Sequence, residues 1–124
     1  MKLIIGGAYQ GKTCYAKEKY NLTEDDIHIC NGTEIDFSKK CIDNLEQFTC
    51  YCVKNDIEPV EYFKQHREQW QNSIIISRDI FCGVVPMGAD NRRWRQQTGR
   101  LCQYLSQEAE SVVRIFCGLE QKLK

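Results

Sequence analysis

The chain has 124 residues, 42% hydrophobic and 27% charged, a globular composition that fits one domain, 1–124, and excludes a disordered chain. Seventeen basic residues balance seventeen acidic ones, so the net charge is zero and nucleic acid, which calls for a basic excess, is set aside as a partner. No apolar run approaches the roughly 20 residues of a membrane span.

Lys2-Leu3-Ile4-Ile5 predicts a short buried strand ended by Gly6-Gly7, and Thr13 to Tyr20 predicts a helix. Asn21 to Asp26 is a polar turn, and Ile27 to Cys30 reads as a second strand closed by Asn31-Gly32. Ile42, Leu45, Phe48, Cys52 and Val53 recur at helical spacing. After a break at Lys54-Asn55-Asp56, Pro59 opens another helix with Val60, Phe63, Arg67 and Trp70 on one face. Ser73 to Ser77 is the clearest strand; its unbroken apolar run suits a strand covered on both faces. A loop with glycine and proline, 83–88, leads to the longest helix, residues 90 to 109, with Trp94, Leu101, Cys102, Leu105 and Ala109 as its buried stripe. Val112 to Phe116 is the last strand, and Gly118 precedes a short tail. Strands alternating with helices predict an α/β fold, a parallel sheet with helices on both faces.

The eight cysteines have no secretory leader before them, since Met1 to Ile5 is too short for one. They are expected to be reduced thiols acting as small core hydrophobes in a cytoplasmic protein. The closest pair, Cys50 and Cys52, lacks the doubled Cys-x-x-Cys of a zinc module.

Gly6-Gly7-Ala8-Tyr9-Gln10-Gly11-Lys12-Thr13 fits the pattern Gly, four residues, Gly-Lys-Ser/Thr, placed between a buried strand and a helix. Glycines let successive N–H groups turn inward around phosphate oxygens, and the helix that follows offers its positive end to the same anion. Lys12 is expected to reach the β- and γ-phosphates and the Thr13 hydroxyl to hold Mg²⁺. The fold expected is therefore P-loop NTPase-like, with ATP or GTP as substrate. Asp79, delivered by the strand at 73–77, is the first candidate for the acidic partner that holds Mg²⁺ or orients a nucleophile; Asp36 is a weaker alternative that could instead face substrate, as could Asp43. Arg92, Arg95 and Arg100 on the long helix suit a phosphate clamp, since guanidinium groups bind phosphate bidentately. Gly99 in mid-helix costs about 1 kcal/mol against Ala, which predicts close approach by another backbone or a neighbouring subunit.

Three stretches carry a family likeness: the phosphate loop; Ser77-Arg78-Asp79-Ile80-Phe81-Cys82-Gly83-Val84-Val85-Pro86; and Arg92-Arg93-Trp94-Arg95-Gln96-Gln97-Thr98-Gly99-Arg100-Leu101-Cys102-Gln103, followed by the ending Cys117-Gly118-Leu119-Glu120-Gln121-Lys122-Leu123-Lys124. Together, over roughly residues 1–16 and 73–124, they resemble the bifunctional adenosylcobinamide kinase/adenosylcobinamide-phosphate guanylyltransferase family of cobalamin biosynthesis, of which this would be a shortened member. The resemblance implies phosphorylation of a hydroxyl of adenosylcobinamide, followed by guanylyl transfer through a covalent guanylyl-histidine. It also implies a homo-oligomer. Lys12, Asp79 and Arg95 would be the catalytic residues, Thr13 and Asp79 the metal ligands, and Arg92, Arg95 and Arg100 the phosphate and substrate contacts. The chain departs from the family at three places. Arg78 and Asp79 stand where the family has asparagine and glutamate, and the segment with the acceptor histidine is missing; His66-Arg67-Glu68-Gln69-Trp70 echoes it without the Arg-Pro. His66 reads as a helix-surface histidine and His28 as a packed or edge side chain. The alternatives are another small-molecule phosphate-loop kinase or NTPase, and a non-catalytic or regulatory nucleotide-binding protein.

Overall fold

A computed structural model describes residues 1–7, 11–78 and 89–124, the side chains of 89–91 excepted. The elements in chain order are β1 (Lys2–Gly6), α1 (Lys12–Tyr20), a short 3-10 turn (Glu24–Asp26), β2 (Ile27–Ile29), β3 (Cys41–Asp43), α2 (Leu45–Lys54), α3 (Pro59–Gln65), α4 (Arg67–Trp70), β4 (Ile74–Arg78), α5 (Ala89–Glu108), β5 (Ser111–Phe116) and β6 (Leu119–Lys122). One six-stranded sheet runs β2-β3-β4-β1-β5-β6. Every neighbouring pair is parallel except β5 with β6. The fold is thus the α/β type expected, with helices on both faces of a mostly parallel sheet.

The two-residue period of the strands divides the apolar side chains between two cores. Leu3, Ile42, Ile75 and Val112 point to the face that packs Phe48 and Cys52 of α2, Phe63 of α3, and Leu101 and Leu105 of α5. Ile4, Ile76, Cys41, Val113 and Ile115 point to the opposite face, where α1 contributes Ala16 and lays Tyr15 and Tyr20 alongside. Both faces being covered explains the unbroken apolar run of β4.

Two expectations change. Ile42 does not begin a helix: Cys41–Asp43 is a strand, paired with β2 on one side and β4 on the other, and the helix starts at Leu45. A three-residue strand followed at once by a helix leaves an isoleucine that suits either period. The expected tail is a strand, β6, returning antiparallel on β5. Cys117 and Gly118 both take positive φ, 52° and 76°, the conformation of a two-residue hairpin turn whose twist matches the strands. Arg67 is ion-paired to Glu108 at 2.6 Å with its guanidinium over the Trp70 ring, 6.0 Å from the centroid, and Trp70 itself is buried with Nε1 donating to the Phe63 carbonyl at 2.7 Å.

Cys14, Cys30, Cys41, Cys50 and Cys52 are free thiols. Cys30, Cys41, Cys52 and Cys102 are buried, and burial pushes the first three up to about 12, so they stay protonated as core hydrophobes. Among the described residues no helix is long and apolar enough to cross a membrane.

Candidate phosphate-binding site

β1 and β4 are neighbours, yet the chain leaves them for opposite sides. From β1 it crosses by α1 to β2 on one flank; from β4 it crosses by α5 to β5 on the other. A crevice forms beyond the carboxyl ends of strands at such a switch point. Here it is a cavity of about 420 Å³ lined by Gly11, Lys12, Thr13, Asp43, Glu46 and Arg78 among others.

β1 enters the site at Gly6, which lies opposite Arg78 in the ladder. A Cβ on Gly6 would sit 2.6 Å from the Ile115 carbonyl oxygen, so no side chain fits there. Gly11, at φ 87°, occupies the left-handed region and stands directly before the first residue of α1. Lys12 then turns back, and its Nζ donates to the Gly7 carbonyl at 2.7 Å, joining the two ends of the loop. Burial lowers the Lys12 ammonium below its ordinary range; Glu46 and Asp43 oppose that shift, and the nearby positive charge of Arg78 adds to it.

The next residue supplies the contact that defines the site. Thr13 Oγ1 donates to Asp43 Oδ2 at 2.7 Å. Asp43 is buried at the end of β3, where its other oxygen accepts from the Asn44 N–H at 2.7 Å. Asn44 takes φ 57°, which turns the chain from β3 into α2. One turn on, Glu46 is only 3% exposed. Its Oε1 accepts from the Arg78 N–H at 3.3 Å, and its Oε2 has no hydrogen-bond partner among the described residues. Burial pushes the Glu46 carboxyl above the usual carboxylate range. α5 braces this turn: Trp94 Nε1 donates to the Glu46 carbonyl at 2.7 Å, and the buried hydroxyls of Thr49 and Thr98 meet at 2.6 Å.

Of the residues expected in the site, Gly6, Gly7, Gly11, Lys12 and Thr13 come together as described. Ala8, Tyr9, Gln10 and Asp79 lie outside the described residues. The carboxylate on Thr13 is Asp43, one of the two alternatives. Asp36, the other, is exposed and engaged in its own turn, where its Oδ1 accepts from the Ser38 N–H and hydroxyl. Arg92 and Arg100 are exposed and Arg95 is half-buried on α5; none of the three lines the cavity. Among the described residues no atom lies within 4 Å of an ideal Cβ on Gly99, so the backbone approach that was one of the two expectations for it is not met within them. His66 sits at the joint of α3 and α4, with Nδ1 2.7 Å from the Tyr62 carbonyl and its ring stacked on Phe37. Sequence reading gave no role to Glu46 and took Arg78 only as a departure. The available signal was Cys41-Ile42-Asp43, an apolar pair running into an acid, which is how a buried strand delivers a carboxylate to a sheet edge.

A family model described as cobinamide kinase / cobinamide phosphate guanyltransferase matches residues 37–123. The match takes in Asp43, Glu46, Arg78 and α5 but begins after the phosphate loop, whose reading stands on its motif and on the geometry above. No curated protein matches the chain. With well over half of its length matched, the chain belongs to the cobinamide kinase / cobinamide phosphate guanyltransferase family, transferases of cobalamin biosynthesis.

Proposed function

We propose that the chain is the kinase part of this chemistry: it transfers the terminal phosphoryl group of ATP or GTP to a hydroxyl of adenosylcobinamide. The observation that carries the reading is the Thr13–Asp43 hydrogen bond, which brings a loop hydroxyl and a strand-end carboxylate together beside Lys12. In phosphate-loop enzymes such a hydroxyl and carboxylate hold the Mg²⁺ that accompanies the triphosphate. The donors here suit it: both are hard oxygens, and Mg²⁺ takes few protein ligands, keeping water and phosphate oxygens for the rest. Thr13 and Asp43 would hold the ion, which when bound neutralises charge on the phosphates.

The protein's own part is positioning and charge. Loop N–H groups and the start of α1 receive the phosphates. Lys12 exchanges the Gly7 carbonyl for a phosphate oxygen, a stronger, charge-assisted partner. Little covalent work is left for the protein in phosphoryl transfer.

The test is turnover of labelled ATP and GTP with and without adenosylcobinamide, in the wild-type chain and in Lys12→Ala. We expect phosphorylated cobinamide from the wild type. In Lys12→Ala, triphosphate binding or turnover should be lost with the thermal melt unchanged. An unchanged rate in that variant would contradict the assignment. Tight nucleotide binding without transfer to any acceptor would make the chain a non-catalytic nucleotide-binding protein.

A further inference from the structure

Four charged side chains line the cavity, and their partners are unequal. Asp43 is engaged through both oxygens, by Thr13 and by the Asn44 N–H. Lys12 is engaged by the Gly7 carbonyl. Glu46 accepts from the Arg78 main-chain N–H through Oε1, and its Oε2 has no partner among the described residues. The Arg78 guanidinium pairs with no carboxylate among the described residues, although Asp43 and Glu46 share its cavity.

We propose that Arg78 binds the terminal phosphoryl group of the triphosphate seated on the loop, and that Glu46 is its positioning residue. The identity of the ligand rests on the kinase reading above. Arg78 is the last residue of β4 and lies opposite Gly6, so it leaves the sheet edge one strand away from the loop. Its neighbour Ser77 is buried and Arg78 is exposed, so the side chain is free to follow a ligand while the main chain stays fixed. Two contacts fix it: the ladder with β1 on one side and the Glu46 carboxylate on the other. Asp43 and Glu46 already face the two cations in this cavity, and an anion that enters between Lys12 and Arg78 is attracted by both. Lys12 approaches from the loop and Arg78 from the neighbouring strand. A planar guanidinium with five N–H donors matches phosphoryl oxygens better than an ammonium does.

In the transfer, the acceptor hydroxyl oxygen bonds to the terminal phosphorus as the bridging P–O bond breaks. The nucleoside diphosphate leaves with that bond's electron pair, and the hydroxyl proton passes to solvent. Charge spread over the moving phosphoryl oxygens is what a cation at Arg78 stabilises.

The test compares Kd for ATP and ADP, and turnover with adenosylcobinamide, across the wild type, Arg78→Gln, Arg78→Lys, Glu46→Gln and Glu46→Ala. The wild type should bind ATP more tightly than ADP. Arg78→Gln should leave ADP affinity within about twofold, cut the ATP preference about tenfold and slow turnover about 10³-fold, the lower range for removal of a transition-state arginine. Arg78→Lys should fall between. Glu46→Gln keeps an acceptor oxygen and should keep the ATP preference; Glu46→Ala should lose part of it with ADP affinity retained. A wild type that does not prefer ATP overturns the proposal. So does an Arg78→Gln variant with wild-type preference and rate, which leaves the kinase reading standing. An ATP preference that collapses in Arg78→Gln, in a chain that phosphorylates no cobinamide, supports Arg78 and overturns the kinase.

Discussion

Glu46 is 3% exposed, and one of its carboxyl oxygens has no hydrogen-bond partner among the described residues. Burial holds its pKa above that of an unfolded glutamate, so between the ordinary carboxylate value and the raised folded value the native state binds more protons than the unfolded state. Stability then falls as pH rises through that window, and the full cost remains at higher pH. Glu46→Gln removes the charge and keeps the oxygen that accepts from Arg78. It should raise the thermal midpoint near neutral pH, and the gain should shrink as the pH is lowered toward the ordinary carboxylate range. A midpoint that drops, or a gain that does not depend on pH, would sink this account. Lys12 and Thr13 were singled out in the sequence by the Gly, four residues, Gly-Lys-Ser/Thr spacing together with its place between a strand and a helix. Asp43 was legible only as one acid among several, and Glu46 not at all. Their roles depend on a strand ending at 43 and a helix beginning at 45, which the period of the apolar residues there does not resolve.

Elements with a clear period, such as β1, β4 and α5, were readable, whereas β3 and β6 were not. β3 is too short to show an alternation, and β6 is a run of four exposed residues, Leu119–Lys122, with no apolar face to mark it. Glycines separate two kinds of constraint at this scale. Gly6 is fixed by packing, because a Cβ on it would lie 2.6 Å from the Ile115 carbonyl oxygen. Gly6→Ala must move the backbone of β1 or β5 and should cost about 2–3 kcal/mol, as overpacking does. Gly99 lies inside α5 with open space around it. Gly99→Ala should therefore stabilise the chain by up to about 1 kcal/mol, the helix-propensity difference. Chemical denaturation of the two variants is the check. A neutral Gly6→Ala would mean the strands shift freely, and a destabilising Gly99→Ala would point to a neighbour that the single chain lacks.

At the scale of the whole molecule, the strand order decides which chemistry reaches the cavity. The switch between β1 and β4 gathers the loop, β3 and the start of α2 at one edge of the sheet. Both histidines of the chain lie elsewhere. A covalent guanylyl-histidine requires an imidazole nitrogen with a free lone pair beside the nucleotide's α-phosphate. His66 faces Tyr62 and Phe37, and because a carbonyl only accepts, its Nδ1 is the donor to Tyr62. His28 belongs to β2, beyond β3 from the loop, with Nε2 enclosed and unpartnered. Neither lines the cavity. Incubation with GTP labelled at the α-phosphate should therefore leave no covalent label on the protein, while label at the γ-phosphate passes to adenosylcobinamide. An acid-labile adduct on the wild type that disappears in His66→Ala would show that the α3–α4 joint reaches the nucleotide, and the separation of kinase from guanylyl transfer would fail.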